Sequence, residues 1–160
     1  MILYHQAFES PIGIIEVTAN QDAVLSVYFK DHALSSQSND VTNLAVSQLT
    51  EYFDGKRFNF DLPIAPQGTA FQQSVWGALQ TIEYAKTCSY LNIAEALDNP
   101  KGVRAVGAAN GKNPISVIIP CHRVIGKNGT LTGYAGGIDR KAWLLQHEQQ
   151  HSSLDYSLEP

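Results

Sequence analysis

The feature that most constrains this chain is an apolar run bounded by two prolines, residues 114–120. The residues between the prolines are mostly β-branched and apolar, which is typical of a short buried strand. Cys121 follows the second proline, where a rigid element gives way to a loop, and reactive side chains are often held at such points. The sequence therefore predicts a buried strand that ends by presenting Cys121.

Two explanations of this cysteine fit its neighbours. His122 and Arg123 follow it directly, and because both side chains can be cationic they would favour a thiolate over a thiol. Cys121 would then be an activated nucleophile. The alternative is a small buried cysteine at a strand end, which is the usual state of cysteines in intracellular proteins. The local residues leave both explanations open.

The segment 119–124, Ile-Pro-Cys-His-Arg-Val, resembles the active-site signature of the O6-alkylguanine-DNA alkyltransferases, also called methylated-DNA–protein-cysteine methyltransferases. The resemblance extends over residues 71–148 and includes a helix-turn-helix and the loop 134–137, Tyr-Ala-Gly-Gly. The chain departs from the family at Glu83 and Ala85, where the family usually carries a proline and a glycine. An ordered set of motifs is more specific than one short signature, so the resemblance favours the nucleophile.

Length, apolar runs and cysteine count bound the class of protein. With 160 residues the chain can form one or two small domains. No apolar run approaches the length of a membrane span, and the N-terminus lacks the basic and apolar segments of a signal peptide. Two cysteines, Cys88 and Cys121, cannot form a disulfide framework, which fits a reducing compartment. We therefore expect a cytoplasmic protein.

Charge is distributed unevenly along the chain, whose formal net charge is −4. Residues 1–68 hold three Lys/Arg and eight Asp/Glu, whereas residues 69–150 hold eight Lys/Arg and five Asp/Glu. Phosphate binding depends on where cations lie and not on the total charge. The alternative is an incidental patch on a solvated face. From residue 99 to 138 there is no acidic residue, and the cations are Lys101, Arg104, Lys112, Arg123 and Lys127.

The N-terminal part is predicted to be β-rich. Three apolar stretches, residues 3–8, 14–17 and 24–29, are separated by turn residues and predict an antiparallel meander. Residues 31–40 are polar and predict a loop. A helix is expected next, then a short strand, then a linker over residues 63–68. The helix is indicated by Leu44, Ala45, Leu49, Tyr52 and Phe53, and the strand by Phe58, Phe60 and Leu62.

The C-terminal part is predicted to be mostly helical. Thr69 and Gln72 form a capping-box pattern that predicts a helix through residue 80, and Ser89 is a candidate cap for a second helix over 90–97. A break at residues 99–100 separates this helix from one over 101–110, which makes a helix-turn-helix candidate. A last helix is expected from Asp139, followed by a polar tail.

The second helix of this candidate is rich in small residues, and glycines destabilise helices. One explanation is close approach to the narrow minor groove of DNA, with Arg104 as the single long cation. The other is tight packing of one helix against another. The small residues are Gly102, Ala105, Gly107, Ala108 and Ala109.

The family resemblance implies an α+β fold and a domain organisation. We expect an N-terminal antiparallel β-sheet domain with a helix, ribonuclease-H-like, over residues 1–66. A mostly helical C-terminal domain containing the helix-turn-helix would follow over 67–150, with a tail over 151–160. The family carries out DNA repair by stoichiometric transfer of an alkyl group from O6-alkylguanine, and in some cases O4-alkylthymine, to a cysteine.

The same resemblance implies the roles of individual residues. Cys121 would be the acceptor, His122 the base acting through a water, Glu148 the residue orienting it, and Tyr90 a donor to the leaving guanine. The expected partner is double-stranded DNA, bound through its minor groove by a monomer, with no membrane, cofactor or metal. Arg104 would fill the stack left by the flipped base, and Ala135 stands where the family often has a serine. The implied substrate and DNA contacts are Arg104, Asn113, Arg123, Val124, Tyr134, Ala135 and Gly136.

Three other functions fit parts of the sequence. A nonenzymatic DNA-binding module would use the helix-turn-helix and leave the thiol incidental. A cysteine hydrolase would need an oxyanion site and would turn over many times. A redox or zinc site built from Cys88, Cys121 and His122 lacks the spacing of known zinc motifs.

Overall fold

The computed structural model describes residues 2–32 and 36–157, and side chains up to residue 152. The chain forms two compact units. The first contains Met1–Gln67 and Pro114–Ile118, and the second contains Gly68–Asn113 and Ile119–Pro160. The first unit therefore includes a short segment from late in the chain, which the linear division expected from the sequence does not contain.

The first unit is built on a three-stranded antiparallel sheet with strand order β1-β2-β3. Its strands are β1 (Tyr4–Ser10), β2 (Gly13–Ala19) and β3 (Val24–Lys30). Gly13, at φ 119°, follows the tight turn between β1 and β2, a backbone conformation that favours glycine. The predicted meander is confirmed.

A single helix packs against this sheet. Helix α1 (Asp40–Phe53) begins at a capping box in which the Asn39 side chain accepts from the Thr42 backbone N–H. Leu49 and Tyr52 on its inner face are fully buried, and α1 contacts all three strands. The helix predicted from its apolar spacing is confirmed and begins four residues earlier than Leu44. Part of the predicted loop, residues 33–35, lies outside the described residues.

The short strand predicted through Phe58, Phe60 and Leu62 is not formed. The side-chain amide of Gln48 takes the place of a strand neighbour: its Nε2 donates to Asp61 O at 2.9 Å, and its Oε1 accepts from Asp61 N at 2.9 Å. The alternation of aromatic and polar residues was therefore correct about burial but wrong about the backbone partner.

The apolar run after Pro114 is also not a strand. It is buried, with Ile115 and Ile119 at 0% exposure, but it contacts β3 only through the single bridge from Ile115 to Val27. Val117 has φ 71°, a left-handed conformation that β-branched residues rarely adopt. The run is therefore a series of turns. Its apolar residues are explained by burial, which selects them in any backbone conformation.

The second unit is mostly helical, and the predicted α+β class is confirmed. The capping box expected at Thr69 and the cap expected at Ser89 are both present, and Ser89 forms a full capping box with Asn92. Trp76 fixes the first helix of the unit against the third, since its buried indole N–H donates to Ala109 O at 2.9 Å. The helices are α2 (Ala70–Leu79), α3 (Tyr90–Ala96), α4 (Val103–Gly111) and α5 (Ile138–Ser157).

Two short strands complete this unit. β4 (Cys88–Ser89) pairs in parallel with β5 (Val124–Ile125), so Cys88 lies opposite Val124. β5 starts immediately after Arg123 and is followed by a loop that leads to α5. The pairing holds the cysteine segment against the start of α3.

Helix α5 extends further than the sequence indicated. It continues to Ser157, so residues 151–157 are helical where a polar tail was expected, and residues 158–160 lie outside the described part of the chain. Of the helices in residues 2–32 and 36–157, none has the length and apolar character needed to cross a membrane.

Candidate functional site

The candidate nucleophile opens a single 3₁₀ turn, Cys121–Arg123. The Arg123 backbone N–H closes the turn on Pro120 O at 3.0 Å. Cys121 is 2% exposed and His122 is 0% exposed, so the turn buries both side chains inside the second unit. The proline and the turn together fix the direction of three consecutive chemically active side chains.

A buried pair joins this turn to helix α5. His122 Nε2 lies 2.7 Å from Glu148 Oε2, and both side chains are fully buried. An ionised carboxylate only accepts hydrogen bonds, so Nε2 carries the proton in this contact. In a neutral ring the lone pair is then on Nδ1. His122 Nδ1 is buried and has no hydrogen-bond partner among the described residues.

Glu148 is held by donors from three residues in two segments, the Cys121–Arg123 turn and the loop that contains Ala85. Arg123 Nε donates to Oε1 at 2.8 Å and Arg123 Nη2 to Oε2 at 3.1 Å, which is a bidentate ion pair. The backbone N–H of Ala85 donates to Oε1 at 3.0 Å. With the His122 contact, this carboxylate accepts four N–H groups.

Opposing effects set the protonation of this buried group. Burial alone would raise the pKa of Glu148, but the charges and hydrogen bonds of His122 and Arg123 outweigh it and hold that pKa well below its ordinary value. Burial lowers the pKa of His122, and the nearby cations Arg123 and Lys141 lower it further against the pull of Glu148. We take the resting pair to be an ionised Glu148 and a neutral His122, because burial is the largest effect on the imidazole and lowers its pKa.

The thiol is protonated in the resting site. Burial raises the pKa of Cys121 to about 11, against the lowering effect of a hydrogen bond from the Asn113 side chain and the charge of Lys141. Asn113 is buried, and its Nδ2 also donates to Ile119 O at 2.9 Å. A thiol in this state needs a base to become a nucleophile, and His122 Nδ1 provides a neutral one.

Lys141 is a fully buried cation on α5. Its Nζ donates to the backbone carbonyls of Val124 and Thr132 and lies 6.0 Å from the centroid of the Tyr90 ring. The Tyr90 hydroxyl donates to the same Thr132 carbonyl at 3.0 Å. Tyr90 and Lys141 therefore share one acceptor, which couples a phenol to a cation near the thiol.

The loop before α5 lines this part of the unit. Gly133, at φ 66°, has no room for a side chain, because a Cβ there would lie 2.9 Å from the Tyr90 hydroxyl. Tyr134 is buried, Gly136 is half-buried and Ala135 is exposed. These residues remain predicted substrate contacts.

The cations of the acid-free stretch divide into two groups. Arg123, predicted as a DNA contact, is 6% exposed, and its guanidinium is occupied by Glu148 and by Ile82 O at 2.6 Å. We correct that prediction, because a guanidinium committed to a buried carboxylate is not available to a phosphate. Val124 is also fully buried, and its carbonyl accepts from Lys141. The remaining four cations are exposed: Lys101, Arg104, Lys112 and Lys127.

Packing inside the fold does not account for the glycine in the middle of the slim helix α4. A Cβ on Gly107 would meet Tyr90 at no less than 3.9 Å, which is ordinary contact, so helix packing does not require a glycine there. Arg104, Ala105 and Ala108 are exposed on the outer face of α4. This face carries only short side chains beside one long cation.

Sequence reasoning missed two residues of this site. Lys141 lies seven residues before Glu148, which on a helix is nearly the same face, so helical spacing was the available signal. Ala85 contributes only its backbone N–H, which no side-chain pattern reveals. Elsewhere in residues 2–32 and 36–157, no group of three or more His, Cys, Asp or Glu is arranged to hold a metal ion.

The buried pair predicts acid sensitivity. The pKa values of His122 and Glu148 are both lowered in the folded state, so their stabilisation is present above the unfolded values and is lost as pH falls. The free energy of unfolding, measured by urea titration, should decrease as pH falls below about 6.5, where unfolded histidine binds a proton. His122→Gln should flatten this first decrease, whereas the surface change His32→Gln should not. Equal slopes for all three proteins would contradict the neutral assignment of His122.

Comparisons with known proteins agree along nearly the whole chain. The model of the 6-O-methylguanine DNA methyltransferase DNA binding domain matches residues 70–150, and that of the ribonuclease-like domain of the same methyltransferases matches residues 3–66. A methylated-DNA–protein-cysteine methyltransferase of Methanosarcina acetivorans is 46% identical, with 91% of this chain and 98% of that protein covered. The constitutive enzyme of Bacillus subtilis is 41% identical, with coverage of 91% and 95%.

Solved structures give the same result. The crystal structure of a Mycobacterium tuberculosis O6-methylguanine methyltransferase superimposes with a TM-score of 0.86 at 40% identity and covers 94% of each chain. A crystal structure of Mycobacterium tuberculosis OGT in complex with DNA superimposes with a TM-score of 0.85 at 41% identity, covering 92% of this chain and 93% of that one.

Proposed function

The chain belongs to the 6-O-methylguanine DNA methyltransferase family, and we propose that it repairs DNA by moving an alkyl group from O6-alkylguanine to Cys121. It is a methylated-DNA–protein-cysteine methyltransferase, so each molecule acts once and keeps the alkyl group as a thioether. The observation that carries the assignment of Cys121 is the buried contact of 2.7 Å between His122 and Glu148, on the residue next to a buried thiol. This contact leaves a neutral basic nitrogen inside the same turn.

The proposed reaction is a single displacement. As Cys121 Sγ attacks the alkyl carbon, its proton passes to His122 Nδ1 through a water, an S–C bond forms and the C–O6 bond breaks. The bonding pair of the C–O6 bond stays on guanine. Glu148 stays ionised and stabilises the imidazolium that forms, while Arg123 keeps the carboxylate in place. The thiol is a poor nucleophile until this proton moves, because burial keeps it protonated.

The leaving guanine gains negative charge, and Tyr90 is placed to balance it. Its hydroxyl already donates to the Thr132 carbonyl, and Lys141 donates to the same oxygen. The Tyr90 hydroxyl can rotate its proton from the Thr132 carbonyl toward a purine ring nitrogen. The carbonyl then still accepts a hydrogen bond from Lys141.

DNA is the partner, and we propose that α4 enters the minor groove. Base chemistry at a buried thiol requires the nucleotide to leave the stack. The exposed outer face of α4 has short side chains and the single long cation Arg104, which suits a groove about 6 Å wide and the filling of a vacated stack. Lys101 and Lys112 are exposed beside it and are candidate phosphate contacts. The protein would act as a monomer.

Intact mass tests the reaction. When the protein is mixed with a duplex carrying one O6-methylguanine, each wild-type chain should gain the mass of one methyl group, because transfer is stoichiometric. Cys121→Ala should gain nothing and Cys88→Ala should gain the full amount, since Cys88 lies on β4 outside the relay. Lesion binding without any mass gain in the wild type would point to a nonenzymatic DNA-binding module. Repair continuing beyond one lesion per chain would point to a hydrolase.

The groove assignment predicts the effect of one added bulky side chain. Ala108→Leu on the exposed face of α4 should weaken duplex binding about tenfold, the scale of an overpacked contact. It should leave the melting temperature unchanged, because the residue is exposed. The matched control is Ser47→Leu on the exposed face of α1. Fluorescence anisotropy with a lesion duplex measures binding, and equal affinity of both variants and wild type would remove α4 from the interface.

A further inference from the structure

The backbone N–H that Ala85 gives to Glu148 comes from a tight turn. Residues 83–86 form a β-turn closed by Lys86 N–H donating to Glu83 O at 3.0 Å. Ala85 is its third residue and has φ 63°, whereas Tyr84 is not among the residues with positive φ. This combination defines a type II turn, in which the third residue is normally glycine.

The turn type decides which way the peptide between Tyr84 and Ala85 faces. Types I and II differ by a flip of this central peptide. In the type II form observed, the Ala85 N–H reaches Glu148 Oε1 at 3.0 Å. In a type I turn, which alanine adopts without left-handed strain, the N–H would face away and the Tyr84 carbonyl would turn toward the carboxylate.

Surrounding contacts hold the less favoured form. Arg123 Nη1 donates to Ile82 O at 2.6 Å, and the Arg123 guanidinium lies 5.6 Å from the centroid of the Tyr84 ring. Gln149 Nε2 donates to Ala85 O at 3.0 Å. Arg123 therefore binds both the carboxylate and the turn, which makes the two a single assembly. Backbone strain kept by surrounding contacts is typical of functional sites.

We propose that this type II turn is a positioning element of the alkyl-transfer relay, and that the left-handed residue 85 sets the reaction rate by aiming its N–H at Glu148. The proposal rests on the function proposed above. Ala85 touches no reacting atom and acts through Glu148 and His122.

The experiment compares single-turnover alkyl transfer, at saturating lesion duplex, across pH. Ala85→Val disfavours the left-handed form and should slow transfer about tenfold, the loss expected for one hydrogen bond to a charged group. Ala85→Gly relaxes the strain and should react at least as fast as the wild type. The matched control is Ala142→Val, the same change at an exposed position of α5, and it should keep the wild-type rate.

The pH profile separates positioning from general damage to the fold. The charged groups that face this pair are Arg123 on the 3₁₀ turn and Lys141 on α5, with the Tyr84 phenol on the turn itself. Without the Ala85 N–H, Glu148 should stabilise a protonated His122 more strongly and raise the pKa of His122. The acid limb of the pH–rate profile should therefore move to higher pH. DNA affinity should not change. A merely structural role would lower the melting temperature and leave the acid limb where it is.

A second variant covers the case in which Ala85→Val fails to fold. Replacing the residue 84–85 amide by an ester, with lactic acid at position 85, keeps the side chain and deletes only the N–H. It should reproduce the slower rate and the shifted acid limb. Wild-type rate and profile in the ester variant would overturn the proposal. If the wild-type protein itself gained no methyl group, the proposed function would fail instead, so the two failures are distinguishable.

Discussion

The site depends on one buried carboxylate. Glu148 accepts N–H groups from His122, from the residue 83–86 turn and from one edge of the Arg123 guanidinium, its Nε and Nη2. A buried charge is costly unless it is paired and hydrogen-bonded, so these donors are what allow a carboxylate at 0% exposure. Removing one partner of a buried pair typically costs about 3–5 kcal/mol, because the other charge is left uncompensated. The same contacts therefore stabilise the second unit and orient the base.

Burial explains why both the thiol and the imidazole are neutral at rest. It lowers the pKa of His122 against the charge of Glu148, and the cations Arg123 and Lys141 lower it further. Burial keeps Cys121 protonated, although Asn113 and Lys141 oppose it. A protonated thiol beside a neutral base suits a protein that reacts once, because the thiolate forms only when the alkyl carbon of the substrate is in place. Tyr90, the proposed donor to the leaving guanine, is linked to Lys141 because both side chains donate to the Thr132 carbonyl.

Much of the fold was predictable from local patterns. The three strands, α1 and the two capping boxes follow from alternation, helical spacing and cap residues, all of which act within a few positions in the chain. The two wrong strands share one cause. Apolar residues after Pro114 are buried and those at Phe58, Phe60 and Leu62 are half-buried, and burial does not determine whether the backbone finds a strand partner. In one case a side-chain amide, that of Gln48, took that place.

Some residues of the site could be predicted from the sequence and others could not. The cysteine and its neighbours were readable from a short segment, and the family resemblance paired His122 with Glu148 across 26 positions. The inward direction of Arg123 was not readable, because nothing in a basic stretch tells which cation meets a buried carboxylate. The backbone donor of Ala85 was also hidden, since every residue but proline carries an N–H and only the turn type aims it.

The mechanism requires a neutral His122 as the base, with its proton on Nε2, where it is donated to Glu148. Nitrogen-15 and proton NMR of the histidine rings reports tautomer and charge directly, and His122→Gln identifies the His122 signals among the five histidines. We expect a neutral ring with its proton on Nε2 at pH 7, and loss of that preference in Glu148→Gln. A ring protonated on both nitrogens at pH 7, or one with its proton on Nδ1, would contradict it.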